Sequence, residues 1–263
     1  MKFAMNRDDG ARIAYERVGD GAPLLLFHPS LTSRTLWKTL GYVDALRDEH
    51  QLLLIDARGH GDSDKPMTMD SYAMDRLVGD VIAVLDEAKL TQTAYLGYSM
   101  GGRVGFGLAI RAPERLRALI VGGASHRPQS GALDRIIYPG FVDTIEQQGL
   151  ESFLHQWSER LGRAIDPTLQ DVLLGSDARA LVPYLRQIDR EPGFEESVVS
   201  RIQLPVLLFA GERDQERLVD SRAAAAILPN AELLVIAESD HETTVAKADE
   251  IVPRVRAFLK RSK

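Results

Sequence analysis

Hydrophobic residues in this chain form short continuous runs that alternate with longer amphipathic segments. The runs PLLLF at 23–27, QLLLID at 51–56 and PVLLFAG at 205–211 have almost no polar interruption. Strands whose two faces are both covered by helices show this pattern, whereas strands with one exposed face alternate between apolar and polar residues. The segments between the runs, such as 74–89, repeat apolar residues at helical spacing. The pattern predicts an α/β fold with a mostly parallel sheet and helices on both faces.

The N-terminal segment has a different pattern. KFAMNR and ARIAYERV alternate between apolar and polar residues on either side of Asp8, Asp9 and Gly10. An Asp-Gly pair accepts the positive φ angles that a tight hairpin turn needs. We therefore predict an antiparallel β-hairpin at the edge of the sheet.

The segment 124–202 interrupts the alternation, since it is amphipathic and contains no strand-like run. Prolines divide it into three or four short predicted helices, and these prolines are Pro128, Pro139, Pro167, Pro183 and Pro192. We predict a core domain made of residues 1–123 and 203–263, with 124–202 inserted between two core strands as a helical cap, or lid. Insertions at the C-terminal ends of parallel strands commonly cover binding sites. The alternative is an additional packing layer without a functional role.

The composition restricts the possible chemistry. The 263 residues carry a net charge of −6, with 44% hydrophobic and 27% charged residues, which is typical of a globular protein. Charges of both signs are mixed, so no basic stripe predicts nucleic acid as a partner. The absence of cysteine excludes disulfides, thiolate catalysis and cysteine zinc sites. The N-terminus lacks an apolar signal region and no apolar run approaches roughly 18 residues, so we expect a cytoplasmic protein with no membrane partner.

The clearest chemical motif is GYSMGG at 97–102, which lies between the apolar run TAYL and a helical segment. G-x-S-x-G at a strand-to-helix turn places a serine in a strained conformation with its hydroxyl exposed above the sheet. The chain then approaches itself so closely that Gly97 and Gly101 cannot carry β-carbons. Ser99 is therefore the predicted nucleophile, and the amide of Met100 at the following helix N-terminus is the predicted first oxyanion donor.

A dinucleotide-binding interpretation of the same glycines is not supported. Gly102, Gly105 and Gly107 lie within the predicted helix and do not form G-x-G-x-x-G in the turn before it. No acidic residue ends a strand about twenty positions later, where it would contact a ribose. The six histidines show no metal-ligand spacing on a helix. We therefore predict no cofactor and no metal.

Serine needs a base, and the base needs an acid that orients it. His241 follows the last apolar run, AELLVIA, and Asp214 follows the preceding run, PVLLFAG. Both would therefore leave the sheet on the same side as Ser99. Asp240 and Glu238 are alternative acids by proximity in the chain. Asp214 is preferred because adjacent side chains rarely point at one another.

A second oxyanion donor is expected in the loop after the first parallel strand, HPSLT at 28–32. Pro29 has no N–H group and cannot donate. The amide of Ser30 is therefore the predicted second donor, although His28 and Ser30 could instead only shape the loop.

Five sequence blocks in this order resemble the α/β-hydrolase superfamily over essentially the whole chain. They are FHPSLTSRTLW, IDARGHGDSDKP, GYSMGG, GERD and SDH. The chain is most similar to small-capped serine esterases, enol-lactonases and C–C hydrolases. The resemblance implies an eight-stranded sheet and a structural role for Asp56, Arg58 and His60. Pro29 is a departure, because the family usually has glycine there.

Taken together, these features predict two-step acyl transfer on a small carboxylic ester or lactone, with His28, Phe141, Phe153 and Trp157 in the substrate pocket. Phe194 is a further aromatic candidate. Two alternatives remain open. One is hydrolysis of a C–C bond in a β-diketone, which would need a polar lid residue such as Arg163 or Arg186 facing the pocket. The other is a ligand-sensing receptor with little turnover.

Overall fold

The computed structural model describes residues 1–165 and 167–262, so two positions of the predicted domains, Asp166 and Lys263, lie outside the described residues. A central eight-stranded sheet organises the chain. Its strands are β1 (Lys2–Met5), β2 (Arg12–Val18), β3 (Ala22–Phe27), β4 (His50–Ile55), β5 (Thr93–Tyr98), β6 (Leu116–Gly122), β7 (Val206–Gly211) and β8 (Ala231–Ile236).

The strand order is β1-β2-β4-β3-β5-β6-β7-β8. β1 and β2 pair antiparallel, with Lys2 opposite Tyr15, and β2 pairs antiparallel with β4. All remaining neighbours are parallel. The predicted N-terminal hairpin and the mostly parallel sheet are therefore confirmed.

Helices follow most of the parallel strands. They are α1 (Leu36–Thr39), α2 (Tyr42–Leu46), α3 (Met74–Glu87), α4 (Met100–Arg111), α5 (Ala132–Ile136), α6 (Phe141–Leu161), α7 (Pro167–Leu174), α8 (Ala178–Arg190), α9 (Glu196–Val199), α10 (Gln215–Ile227), α11 (His241–Thr244) and α12 (Ala248–Arg261). Two short 3-10 helices span Met69–Tyr72 and Pro113–Arg115. Among the described residues, no helix is both long enough and apolar enough to cross a bilayer.

Two hydrophobic layers lie on opposite faces of the sheet. Leu24 and Leu26 of β3 pack in one layer with residues of α2 and α12. Leu25 and Phe27 of the same strand pack in the other layer with residues of α3 and α4. Because successive side chains of a strand point to opposite faces, two covered faces require a continuous apolar run. This explains why the strands appear in the sequence as unbroken hydrophobic runs.

Five helices, α5 to α9, lie between β6 and β7, and the described residues of this segment contain no strand. The count exceeds the predicted three or four helices. Pro183 is a correction, because it lies inside α8 rather than between helices. The helix continues because its inward face, with Leu181, Tyr184 and Leu185 fully buried, stays packed despite the backbone hydrogen bond that proline cannot donate.

Candidate active site

Ser99 lies at the turn between β5 and α4 and adopts φ 52° and ψ −114°. Positive φ is strained for a residue with a β-carbon, and such strain is concentrated at functional sites. A β-carbon on Gly97 would overlap the carbonyl group of Gly101, and one on Gly101 would overlap the backbone oxygen of Phe27. The two glycines are therefore required by the close approach of the chain that the motif predicted.

A continuous hydrogen-bonded chain joins the three predicted catalytic side chains. His241 Nε2 lies 3.1 Å from Ser99 Oγ, and His241 Nδ1 lies 2.6 Å from Asp214 Oδ2. With the Nδ1 proton donated to the carboxylate, Nε2 is free to accept the Ser99 hydroxyl proton. Asp214 is only 6% exposed, so its carboxylate and the imidazole interact in a largely dry environment. The arrangement can activate Ser99 as a nucleophile.

The two alternative acids do not contact the His241 ring. The carboxylate of Asp240 accepts the backbone N–H groups of Glu242 and Thr243 and caps α11. Glu238 lies on the surface, where its nearest cation is Arg213 at 3.9 Å. Of the three carboxylates considered from the sequence, only Asp214 is brought to His241.

Tyr98 supports His241 and was missed by the sequence analysis. Its hydroxyl donates to the His241 carbonyl oxygen at 2.6 Å, and the two rings lie 5.4 Å apart. The signal was present, because Tyr98 is the variable residue before the serine in G-x-S-x-G. The motif alone does not indicate its role, because G-x-S-x-G places no requirement on that position.

Two buried histidines stabilise the loop at 28–32 through hydrogen bonds with backbone N–H groups. His28 Nε2 accepts the Ala57 N–H at 3.0 Å, and His60 Nε2 accepts the Leu31 N–H at 3.2 Å. Burial lowers the pKa of His28 to about 4 and, together with the nearby His28, the pKa of His60 to about 3. Both rings are therefore neutral acceptors at ordinary pH. His28 is fully buried and does not line the cavity, which corrects the expectation that it contacts substrate.

The charged turn after β4 has the structural character that the resemblance implied. The Asp56 carboxylate accepts the backbone N–H groups of Arg34 and Asp62 at 2.7 and 2.9 Å. The guanidinium of Arg58 is fully buried and bridges Asp80 and Asp9. The Asp56 contacts connect this turn to the loop after β3, and the Arg58 contacts connect it to the N-terminal hairpin and α3.

A cavity of about 380 Å³ opens beside Ser99 and His241, between the loop after β3 and helices α5, α6 and α7. Its walls are mostly apolar and include Leu31, Ile137 and Trp157. Two charged residues of the wall, Arg163 and Glu242, form an ion pair of 2.5 Å. A cavity of this size and polarity fits a small organic molecule.

The predicted aromatic lining is only partly present. Trp157 lines the cavity, whereas Phe141 and Phe153 are fully buried and pack on each other at 5.9 Å. Phe194 lies 5.6 Å from the Arg103 guanidinium, outside the cavity. Phe141 and Phe153 face the interior of the helical layer and supply part of its core, whereas Phe194 is half-buried and packs on the Arg103 side chain.

A second, water-sized recess of about 20 Å³ also borders Ser99. It is lined partly by Arg103, whose Nη1 donates to the carbonyl oxygens of Ser125 and Arg127. Burial lowers the pKa of Arg103 to about 10. The recess is small and its wall mixes apolar and polar side chains, so it is more polar than the large cavity.

Three features together indicate the class of protein to which the chain belongs. They are the strained serine, the histidine and aspartate that follow it in the hydrogen-bonded chain, and the sheet topology. The chain belongs to the alpha/beta hydrolase fold family, whose model matches residues 22–165, and the resemblance seen in the sequence is confirmed.

Individual relatives cover almost the full chain. It is 27% identical to a Bacillus subtilis (strain 168) protein provisionally named 2-succinyl-6-hydroxy-2,4-cyclohexadiene-1-carboxylate synthase, over 95% of this chain and 96% of that protein. It is 27% identical to 3-oxoadipate enol-lactonase 2 of Acinetobacter baylyi (strain ATCC 33305 / BD413 / ADP1), over 91% and 89% of the two chains. The crystal structure of the enol-lactonase from Burkholderia xenovorans LB400 superposes with a TM-score of 0.81 at 22% identity, covering 96% and 98%. The last similarity shows the shared fold.

Proposed function

We propose that the protein is a serine hydrolase that cleaves a small carboxylic ester or lactone through an acyl-enzyme intermediate. The observation that carries the proposal is the hydrogen-bonded chain from Ser99 through His241 to Asp214, whose serine end opens into the apolar cavity. An apolar cavity accommodates the organic part of a neutral ester. The name of the enol-lactonase relative supports the lactone alternative.

The proposed reaction has two acyl-transfer steps. His241 Nε2 takes the Ser99 proton while Oγ attacks the substrate carbonyl carbon, and the resulting imidazolium then protonates the leaving alkoxide. A water molecule, deprotonated by the same histidine, then attacks the acyl-enzyme; the bond to Ser99 Oγ breaks, the imidazolium returns its proton to Oγ, and the carboxylic acid is released. Asp214 holds the imidazole and stabilises its charged form.

The oxyanion forms near the N-terminus of α4. The amides of Met100 and Ser30 are the proposed donors, since Met100 is the first residue of the helix and its N–H has no intrahelical partner. Removal of one oxyanion donor is expected to cost on the order of 3 kcal/mol of transition-state stabilisation.

The structure offers one observation in favour of a second candidate, hydrolysis of a C–C bond in a β-diketone. Arg163 lines the cavity and could stabilise the charge that develops when such a substrate ketonises. Arg186 does not serve this role, because it pairs with Asp143 and Glu146 on the surface. Arg163 is itself paired with Glu242, which reduces its free charge and favours the ester reaction.

Labelling with a fluorophosphonate, followed by peptide mapping, tests the nucleophile. We expect modification at Ser99, no modification in Ser99→Ala, and full labelling in the control Ser197→Ala, whose serine is exposed. The wild type and Ser197→Ala, which are labelled, should also hydrolyse p-nitrophenyl esters, and the unlabelled Ser99→Ala should not. Modification of another residue, or an active protein without label, would overturn the proposal. Release of only about one product per protein would indicate a ligand-sensing receptor instead.

A further inference from the structure

The side chain of Tyr184 connects the two segments that carry the proposed oxyanion donors. Tyr184 belongs to α8 in the inserted segment and is fully buried. Its hydroxyl oxygen lies 2.5 Å from Ser30 Oγ and 2.8 Å from Met100 Sδ. Ser30 belongs to the loop after β3, and Met100 begins α4. One side chain from the insertion therefore contacts two core segments that are 70 positions apart in the chain.

The Tyr184 hydroxyl can satisfy both contacts at once. A phenol has one proton to donate and lone pairs that accept. It can donate to Met100 Sδ and at the same time accept the Ser30 hydroxyl proton. Burial raises the pKa of Tyr184, so the hydroxyl keeps its proton over the working pH range. Tyr184 lines neither cavity, so its effect on a bound substrate must act through Ser30 and Met100.

The loop that contains Ser30 needs support from other parts of the molecule. Leu31 has a φ of 63°, which is a strained conformation for a leucine and persists only where surrounding contacts impose it. Pro29 supplies no backbone donor that could brace the loop. The Tyr184 ring packs edge-on against His60 at 4.7 Å, and His60 in turn accepts the Leu31 N–H. The ring and the hydroxyl of Tyr184 thus brace the loop at two points.

We propose that Tyr184 is a positioning residue that sets the separation of the Ser30 and Met100 amides, so that the inserted helices complete the oxyanion hole. The proposal rests on the acyl-transfer function proposed above. It predicts that loss of the hydroxyl weakens transition-state binding and leaves ground-state binding unchanged, because the oxyanion exists only after the carbonyl carbon has been attacked.

The first test compares Tyr184→Phe with the wild type. We expect kcat for a p-nitrophenyl ester to fall about 10- to 100-fold, since small displacements of a catalytic group have effects of this size. KM should change less than about twofold, and affinity for a trifluoromethyl ketone, which forms an oxyanion on the serine, should fall by the same factor as kcat. If Tyr184 had only a structural role, Tyr184→Phe would lower the midpoint of unfolding but would not lower kcat while leaving KM nearly unchanged.

Tyr72→Phe is the matched control. Tyr72 is also fully buried and packs against Tyr184 at 5.5 Å, but its hydroxyl donates to the carbonyl oxygen of Pro66, away from Ser99. We expect kcat and ketone affinity to stay within about twofold of the wild type. A fall equal to that of Tyr184→Phe would show a general packing effect and overturn the proposal.

Ser30→Ala keeps the Ser30 amide but removes the hydroxyl that Tyr184 contacts, so it tests the same connection even if Tyr184→Phe does not fold. We expect a loss of kcat no larger than that of Tyr184→Phe, and the double variant should lose little more than Tyr184→Phe alone, because both substitutions remove the hydrogen bond between Tyr184 and Ser30. Wild-type kcat and ketone affinity in Ser30→Ala, or in folded Tyr184→Phe, would overturn the positioning role. Ser99→Ala separates the two proposals, since turnover by that variant would overturn the serine mechanism itself.

Discussion

At the scale of single residues, Asp240 is next to His241 in the chain, yet its carboxylate turns toward the N–H groups of Glu242 and Thr243. Asp214 is 27 positions away and contacts the ring at 2.6 Å. The difference arises because Asp240 precedes α11 and is in position to cap it, whereas Asp214 ends the turn after β7 with its side chain directed at the neighbouring loop.

Replacement of Asp214 by asparagine should abolish most of the ester hydrolysis proposed above. Asparagine cannot stabilise the imidazolium and favours the wrong tautomer, so we expect kcat to fall on the order of 10⁴-fold. The control is Asp240→Asn, which should keep near wild-type kcat because asparagine caps a helix as well as aspartate does. Steady-state hydrolysis of a p-nitrophenyl ester measures both variants. If Asp240→Asn lowered kcat more than Asp214→Asn does, the proposal that Asp214 is the acid would be contradicted.

At the scale of elements, the loop after β3 and the turn after β4 depend on two imidazoles that must remain neutral. His28 and His60 each accept a backbone N–H through Nε2, and that acceptor is lost when the ring is protonated. Because both rings are almost completely buried, protonation would also place charge in the hydrophobic layer. The stability of these elements is therefore linked to pH.

The free energy of unfolding should decrease as the pH falls below about 6.5, the usual histidine pKa. Between that pH and the folded pKa of about 4 for His28 and about 3 for His60, the unfolded chain binds protons that the native chain does not. At pH 5 the expected loss is about 2 kcal/mol for each histidine. The stabilisation that the two neutral histidines provide is therefore fully present above pH 6.5, and it is lost as the pH falls toward their folded pKa values.

Urea unfolding at several pH values measures this linkage. His28→Gln should reduce the slope of stability against pH between 6.5 and 4 but leave the part that His60, His50 and His126 contribute, since burial lowers the pKa of each of these three rings as well. His155→Gln is the control for the replacement itself, because His155 is exposed on α6 and accepts no buried backbone N–H group from the residues that the structure describes. An unaltered slope in His28→Gln would argue against the buried neutral ring.

At the scale of the whole molecule, the apolar cavity exists only where the core and the inserted helices meet. The core contributes Leu31, Ser99 and His241, and the insertion contributes Ile137 and Trp157. Neither part encloses the cavity without the other. The insertion therefore helps to shape the cavity, while the core carries the proposed reacting groups.

Enlarging the cavity at Trp157 should change substrate preference. Trp157→Leu removes part of the wall, and we expect the ratio of kcat/KM for a hexanoyl ester to that for an acetyl ester to rise about tenfold, a typical effect of added apolar room. Phe141→Leu is the control, because Phe141 is buried near Trp157 but does not line the cavity. A series of p-nitrophenyl esters measures the ratio, and an equal shift in both variants would contradict the role of Trp157.

Local sequence was sufficient for the strands, most helices and the order of the site residues. Apolar runs marked β3 to β7 because a strand covered on both faces leaves no position for a polar side chain. The Gly97 and Gly101 positions marked the turn because the required close approach excludes a β-carbon. The order Ser99, Asp214, His241 followed from the position of each residue just after a strand, since parallel strands bring their carboxyl ends to one edge of the sheet.

The side-chain surroundings could not be read in this way. Three features depend on residues that are distant in the chain. They are the burial of His28, the inward packing of Phe141 and Phe153, and the contact of Tyr184 with Ser30. Hydrophobic pattern indicates that an aromatic residue is buried, but core and cavity wall are equally apolar. Which of the two a residue faces depends on how the inserted helices pack across the sheet edge, and that packing is a property of the assembled fold.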